Sequence, residues 1–130
     1  MPHPVSIDTG ADVLAPSLAV KSPLTYSVLS GDAAVTDLVG HGTFVASLAA
    51  GSVSKGKVFA GFGGDARLMI VQANRTVYDF TDANEAAAIV WAVDHGARIV
   101  NLSLGGFQTS QIEQDAIDFA VRHGVLLVAA

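Results

Sequence analysis

Two side chains in the first third of the chain have the types and settings that nucleophilic catalysis requires. Asp8 directly follows a short apolar run and precedes Gly10, which permits a sharp turn. His41 has a glycine on either side, so other groups can approach it closely. A carboxylate that orients an imidazole, and an imidazole that accepts a proton, are two parts of a nucleophilic triad. Each residue also has a plain interpretation, Asp8 as a turn-initiating residue and His41 as a helix-start histidine without function.

A third segment, Ser103-Leu104-Gly105-Gly106, follows a predicted strand. Its two glycines leave the backbone accessible, which suits an extended peptide that adds alongside as a further strand. The alternative is an ordinary exit from strand to loop.

Short apolar runs alternate with helical stretches along the chain. The strands are predicted at 5–7, 24–29, 68–71, 97–102 and 125–128, and the helices at 42–50, 82–95 and 110–123. Strands that are apolar on both faces belong in parallel sheets covered by helices, and short right-handed crossovers make the fold a doubly wound, mostly parallel α/β sheet with flanking helices. Chemistry in such sheets lies at the carboxyl ends of the strands. That rule selects Asp8, the segment 103–106 and whatever follows Ala130.

Local patterns predict the ends and environments of these elements. Asp82 and Ser110 each precede a glutamate by three residues, which indicates two N-terminal capping boxes. The run 42–50 is apolar nearly all round, which predicts a fully buried helix. Residues 11–23 and 52–64 are expected to be loops. His95 and His123 precede glycines, where histidine interacts with the last carbonyls of a helix.

Composition excludes several classes of protein. The 130 residues suffice for one domain, and 51% hydrophobic with 15% charged residues excludes disorder. The net charge of −5 and the lack of a basic run argue against a nucleic-acid partner. No apolar stretch reaches the roughly 18 residues of a membrane span, and the N-terminus lacks the pattern of a signal peptide. With no cysteine, disulfides, thiolate metal sites and a cysteine nucleophile are excluded.

Together these segments resemble the subtilisin-like serine proteases, the subtilases. Asp8-Thr9-Gly10 resembles the aspartate motif of that family, and His41-Gly42-Thr43-Phe44-Val45-Ala46-Ser47 its usual His-Gly-Thr-His-Val-Ala-Gly. The segment 101–106 resembles the strand that binds substrate backbone, and 124–130 the strand that leads to the oxyanion asparagine. The matches occur in the order of the family and extend over nearly the whole chain.

The resemblance implies a partial subtilisin-like fold, a polypeptide substrate and a role for each matched residue. Asp8 would hold the imidazole in the right tautomer, and His41 would act as general base and then general acid. Ser103, Leu104 and Gly105 would pair with substrate backbone and line its specificity pockets, and Ala130 would begin a wall of the pocket beside the scissile bond. The expected activity is that of a serine endopeptidase.

The family's nucleophilic serine, usually in Gly-Thr-Ser-Met-Ala, has no counterpart in this sequence. Its oxyanion asparagine would follow Ala130. We therefore expect residues 1–130 to be a catalytic domain truncated at both ends and to be inactive by themselves. An exposed apolar strand at 126–128 would make such a chain poorly soluble.

No cofactor and no metal site are assigned. Many subtilases bind calcium, but the loop 51–61 lacks the cluster of carboxylates that a site for this ion requires, so calcium remains possible only for the parent protein. The resemblance favours a secreted or cell-envelope location. The oligomeric state stays open.

Three other functions compete with this interpretation. The chain can be an inactive subtilase-like fragment or peptide-binding relic, which the missing serine favours. The stretch from Val5 to Asp12 also resembles the active site of a retroviral-type aspartic protease, whose nearly all-β fold conflicts with the predicted helices. A nucleotide-binding domain lacks its glycine-rich phosphate motif.

Overall fold

In the computed structural model of the chain, which describes residues 3–54 and 59–130, the described part centres on a parallel sheet of five strands. The strands are β1 (Pro4–Asp8), β2 (Leu24–Ser27), β3 (Met69–Gln72), β4 (Ile99–Leu102) and β5 (Leu126–Ala129). Their spatial order is β2-β3-β1-β4-β5, and every neighbouring pair is parallel. This architecture confirms the predicted doubly wound α/β fold.

Helices cover both faces of the sheet. They are α1 (Pro16–Ala19), α2 (His41–Ala50), α3 (Asp82–Asp94) and α4 (Gln111–Arg122). Met69 and Val71 of β3 join a core cluster with Ile89 of α3, whereas Ile70 packs in a second cluster with Ala46 of α2. Successive side chains of a strand point to opposite faces, so Met69, Ile70 and Val71 of β3 must all be apolar; the last residue of the strand, Gln72, is buried and polar.

The central strand β1 marks the point at which the strand order reverses. It pairs with β3 on one side and with β4 on the other. Connections that leave neighbouring strands in opposite directions open a crevice outside their carboxyl ends. The residues that end β1, β3 and β4 therefore meet at one edge of the sheet.

Helix α2 differs from its predicted environment. Gly42, Ala46 and Ala50 are buried, but Phe44 is 64% exposed. The expectation of a fully buried helix is wrong for the described chain, because only one face of α2 packs on the sheet.

The predicted loop 11–23 contains the short helix α1, which has a proline in its first turn.

The prediction of the helix-capping residues is correct only in part. Thr81, not Asp82, is the N-cap of α3, and its side chain accepts a hydrogen bond from the Asn84 N–H at 3.2 Å. Ser110 is the N-cap of α4, but its side chain makes no capping hydrogen bond. The histidines behave as predicted: Nδ1 of His95 and of His123 lie 2.7 and 2.8 Å from carbonyl oxygens of the preceding turn.

The predicted loop 52–64 is only partly described, since residues 55–58 lie outside the described ranges. Its other residues form neither helix nor strand. Its second half returns against the end of α2, where the N–H groups of Phe62 and Gly63 donate hydrogen bonds to the carbonyls of Leu48 and Ala49 at 2.9 and 2.7 Å. Among the described residues, no helix has the length and hydrophobicity of a membrane span.

Candidate active site

Asp8 and His41 form a hydrogen-bonded pair at the carboxyl end of β1. Nδ1 of His41, the first residue of α2, lies 2.7 Å from Oδ1 of Asp8. The Asp8 side chain is 4% exposed and that of His41 37%. An ionised carboxylate only accepts hydrogen bonds, so this contact places the imidazole proton on Nδ1 and leaves Nε2 as a base. The pair thus combines a buried orienting acid with an imidazole that reaches the surface.

The hydrogen bonds of the Asp8 carboxylate converge on one oxygen. The N–H of Thr9 also donates to Oδ1, at 2.7 Å. Oδ2 is buried and has no hydrogen-bond partner among residues 3–54 and 59–130. A buried carboxylate that is incompletely paired favours a positive charge beside it.

Direct contact between two glycines brings the pair together. A Cβ on Gly42 would lie 2.1 Å from the carbonyl oxygen of Gly10, well inside van der Waals contact. Gly10 itself has φ of +103°, a conformation that favours glycine. Only with glycine at both positions can the start of α2 approach the turn that follows β1 this closely.

Asp37 holds the first turn of α2 in place. Its carboxylate accepts hydrogen bonds from the N–H groups of Gly40 and Thr43, each at 2.9 Å, and from the Thr43 hydroxyl at 2.6 Å. The Thr9 hydroxyl donates to Asp37 at 2.9 Å and accepts from the Gly42 N–H at 2.9 Å, which links this cap to the residue after Asp8. Burial acts to raise the pKa of Asp37, but the hydrogen bonds from Thr43, Gly40 and Thr9 outweigh it and lower that pKa.

Replacing Asp37 with Ala is expected to lower the free energy of unfolding by about 2 kcal/mol near pH 7, because several charge-assisted cap bonds are lost. A lowered folded-state pKa contributes stability that is present above the unfolded value of about 3.9 and lost as pH falls through the folded pKa. Urea unfolding at pH 7 and in acid should therefore show a difference that shrinks toward low pH. Asp65→Ala, at an exposed position, serves as the control and should change stability by less than about 0.5 kcal/mol. Equal effects of the two substitutions would contradict the capping role.

A cavity of about 110 Å³ joins the pair to the segment after β4. Its lining residues are Asp8, His41, Asn74, Val77, Phe80, Ser103, Leu104 and Gly105. The structure thus places five of the six predicted site residues around one space. Ala130 lines instead a neighbouring cavity of about 180 Å³, which shares Phe80, Leu104 and Gly105 with the first. A larger groove of about 750 Å³ between α3 and α4 contains none of the six.

The sequence analysis missed the residues that β3 contributes. Asn74, Val77 and Phe80 follow the carboxyl end of β3, which adjoins β1. Asn74 is 4% exposed, and its Oδ1 is buried without a hydrogen-bond partner in the described part of the chain. The rule that selects carboxyl ends of strands applies to β3 as well and could have found them.

Comparison with known protein families identifies the family to which the chain belongs. The model of the Subtilase family, Peptidase_S8, matches residues 6–130. The chain belongs to the subtilase family, which excludes the aspartic-protease alternative together with its nearly all-β fold. The matched residues include the Asp8–His41 pair and the segment after β4.

Individual relatives are proteases. The thermophilic serine proteinase of Bacillus sp. (strain AK1) is 35% identical over 124 residues, which cover 95% of this chain and 31% of the relative. Thermitase of Thermoactinomyces vulgaris is 31% identical over 124 residues, which cover 95% and 44%. The crystal structure of fervidolysin from Fervidobacterium pennivorans, a keratinolytic enzyme related to subtilisin, matches with a TM-score of 0.83 and 30% identity over 98% of this chain and 21% of that chain. The chain thus spans less than half the length of these relatives. Further relatives bear the names of extracellular and cell wall-associated proteases.

Proposed function

We propose that the chain supplies the Asp and His members of the active site of a serine endopeptidase. Asp8 positions the imidazole, and His41 takes the proton of a serine nucleophile and later gives it to the leaving amine. Ser103, Leu104 and Gly105 pair with the substrate backbone, and Ala130 forms part of a pocket wall. The substrate is a polypeptide.

One observation carries this proposal. The Nδ1–Oδ1 contact of 2.7 Å lies in the same cavity as the segment 103–105. A base oriented by a buried acid, beside a stretch of accessible backbone, can take a proton while an extended peptide is held next to it. The relatives' names as proteases support the same chemistry.

The nucleophile is proposed to come from outside residues 1–130. Within the described ranges, the imidazole of His41 has no hydrogen bond besides that to Asp8. Ser103 lines the cavity, but its hydroxyl accepts a hydrogen bond from Nδ2 of Asn101 at 2.8 Å and makes none with His41. Without a nucleophile there is no acyl-enzyme, so we propose that this segment is part of a longer catalytic domain and is inactive alone.

Because residues 1–130 do not supply a nucleophilic serine, we also propose a second candidate function. The chain would then be an inactive subtilase relic that binds peptides without cleaving them. Both functions share the substrate segment 103–105 and differ in turnover. For the protease we propose a secreted or cell-envelope location, in line with the names of its relatives. No resident cofactor is part of the proposal.

The test begins with the coding DNA on both sides of this segment, followed by assay of the longest product with a fluorogenic peptide. For the protease we expect inhibitor-sensitive turnover that His41→Ala lowers by about 10⁴-fold or more, and no turnover by residues 1–130 alone. His123→Ala, at the exposed end of α4, is the matched control and should leave kcat unchanged. A reading frame that stops after Ala130, with peptide binding but no turnover, would favour the relic. Turnover that survives His41→Ala would contradict both.

A further inference from the structure

The cavity of about 180 Å³ beside the substrate segment contains a buried acid. Glu85 of α3 is 2% exposed and lines this cavity together with Glu113 of α4. Its Oε1 is buried and accepts no hydrogen bond from the described residues. Buried carboxylate oxygens normally accept a hydrogen bond, so Oε1 of Glu85 is an unsatisfied acceptor that a ligand with a donor group could pair with.

The charges that face Glu85 are all negative. Burial first, then the negative charge of Glu113 and a hydrogen bond between the two carboxyl groups, and last the negative charge of Asp82 in the first turn of α3, raise the pKa of Glu85 to about 7. No lysine or arginine is among the residues that line the cavity. The described part of the chain therefore offers this acid neighbours of its own sign but no cation.

The packing of α3 does not require an acid at this position. The buried residues next along the helix are alanines and Ile89, and they fill the core beneath it. Burying a carboxyl group without a partner costs stability. Such costs are concentrated at binding sites, where a ligand supplies the missing interaction.

The position of the cavity indicates what that ligand is. Phe80, Leu104 and Gly105 line both this cavity and the one that holds the Asp8–His41 pair. A peptide along the segment 103–105 would therefore pass both. The volume is below the roughly 300–1,000 Å³ of small-molecule pockets and suits a single side chain. Among the described residues no group of three or more His, Asp or Glu side chains is placed to hold a metal ion.

We propose that this cavity binds a cationic side chain, lysine or arginine, of the peptide that lies along Ser103–Gly105, and that Glu85 and Glu113 determine this specificity. The inference rests on the proposed function, because it assumes that the substrate peptide lies along Ser103–Gly105; this course of the peptide is called the peptide path below. A bound cation would donate hydrogen bonds to the buried carboxylate of Glu85 and the half-buried one of Glu113, and replace their mutual repulsion with attraction.

Peptide binding to the 130-residue chain tests the proposal. Fluorescently labelled alanine-based hexapeptides carry one lysine, or one norleucine of similar length, at each position in turn, and anisotropy gives their Kd. At one position we expect lysine to bind at least tenfold more tightly than norleucine at pH 8.5. The ratio should fall toward 1 at pH 5.5, where Glu85 is protonated. Because the measured quantity is the ratio of the two Kd values, the titration of any group that both peptides contact affects both values alike and cancels.

Matched variants identify the residues responsible. Glu85→Gln and Glu113→Gln should each remove most of the lysine preference while leaving norleucine binding unchanged. Asp118→Asn removes one negative charge from α4, at a residue that does not line this cavity, and should retain the preference. Loss of the preference in this variant as well would mean that net charge, not the cavity, attracts the lysine, which would overturn the proposal.

The outcomes separate this inference from the function on which it rests. If lysine and norleucine peptides bind equally well, the cation pocket is wrong and the peptide path stands. If a chain that is folded by circular dichroism binds neither peptide, the peptide path itself fails and the pocket with it. Thermal unfolding gives a second measurement: Glu85→Gln should raise Tm at pH 8.5 and leave it unchanged at pH 4.5. A lower Tm in this variant at pH 8.5 would show that Glu85 serves the fold and would overturn the proposal.

Discussion

Replacing Asp8 with Asn is expected to lower kcat of the proposed longer protease by about 10⁴-fold, with little change in KM. The carboxylate accepts a hydrogen bond from Nδ1 of His41 at 2.7 Å, which leaves Nε2 without a proton. An asparagine amide can donate to Nδ1 instead. The imidazole would then carry its proton on Nε2, the atom that must accept one from the nucleophile. Kinetics with a fluorogenic peptide, compared with Asp65→Asn as the control, measure the loss.

The same substitution has a readout in the 130-residue chain that does not depend on turnover. The proton between Nδ1 of His41 and the carboxylate should give a low-field nuclear magnetic resonance signal in the wild-type chain, because hydrogen bonds to an ionised acceptor are short and strong. Asp8→Asn should abolish this signal, and Asp65→Asn should retain it. An unchanged signal in Asp8→Asn would show that the proton is held by another group.

The alternation of strands and helices was predictable because the strand β3 has a run of apolar residues that cover both of its faces. Val71 lies in the cluster with α3, and Ile70 lies in the cluster with α2, so both faces of β3 pack in apolar surroundings at these positions. Such a run can be recognised without knowledge of its neighbours. The two predicted capping boxes, at Asp82 and Ser110, were wrong because the local geometry of the chain decides which side chain reaches a free N–H group of the helix. The Thr81 side chain meets the Asn84 N–H, whereas that of Ser110 makes no equivalent bond, although both sequences contain a plausible cap.

The candidate site was predictable where a local motif carries the chemistry. Asp8 and His41 stand out through their glycine neighbours, and the structure places them in contact. Asp37 could not be found in this way, because its partner Thr9 lies in the turn after β1 and its partner Thr43 in α2. Glu85 was interpreted only as a capping residue. Its burial beside Glu113 depends on how α3 packs against α4, and the sequence of neither helix contains that information.

Gly42→Ala is expected to lower the free energy of unfolding by about 3 kcal/mol or more, the largest stability effect among the substitutions considered. The added Cβ would lie 2.1 Å from the Gly10 carbonyl oxygen, and both partners are backbone at the junction of β1 and α2. No side-chain rotation relieves this contact, so the start of α2 must move away from β1.

Gly106→Ala is the matched control, because a Cβ at Gly106 would meet no atom within 4 Å. Its stability in urea should stay within about 0.5 kcal/mol of the wild type. Since Gly42 follows His41 directly, movement of α2 must also lengthen the contact with Asp8. The low-field proton signal should therefore weaken in Gly42→Ala and persist in Gly106→Ala. A Gly42→Ala chain with wild-type stability and an unchanged signal would mean that the close approach of Gly10 and Gly42 does not position the pair.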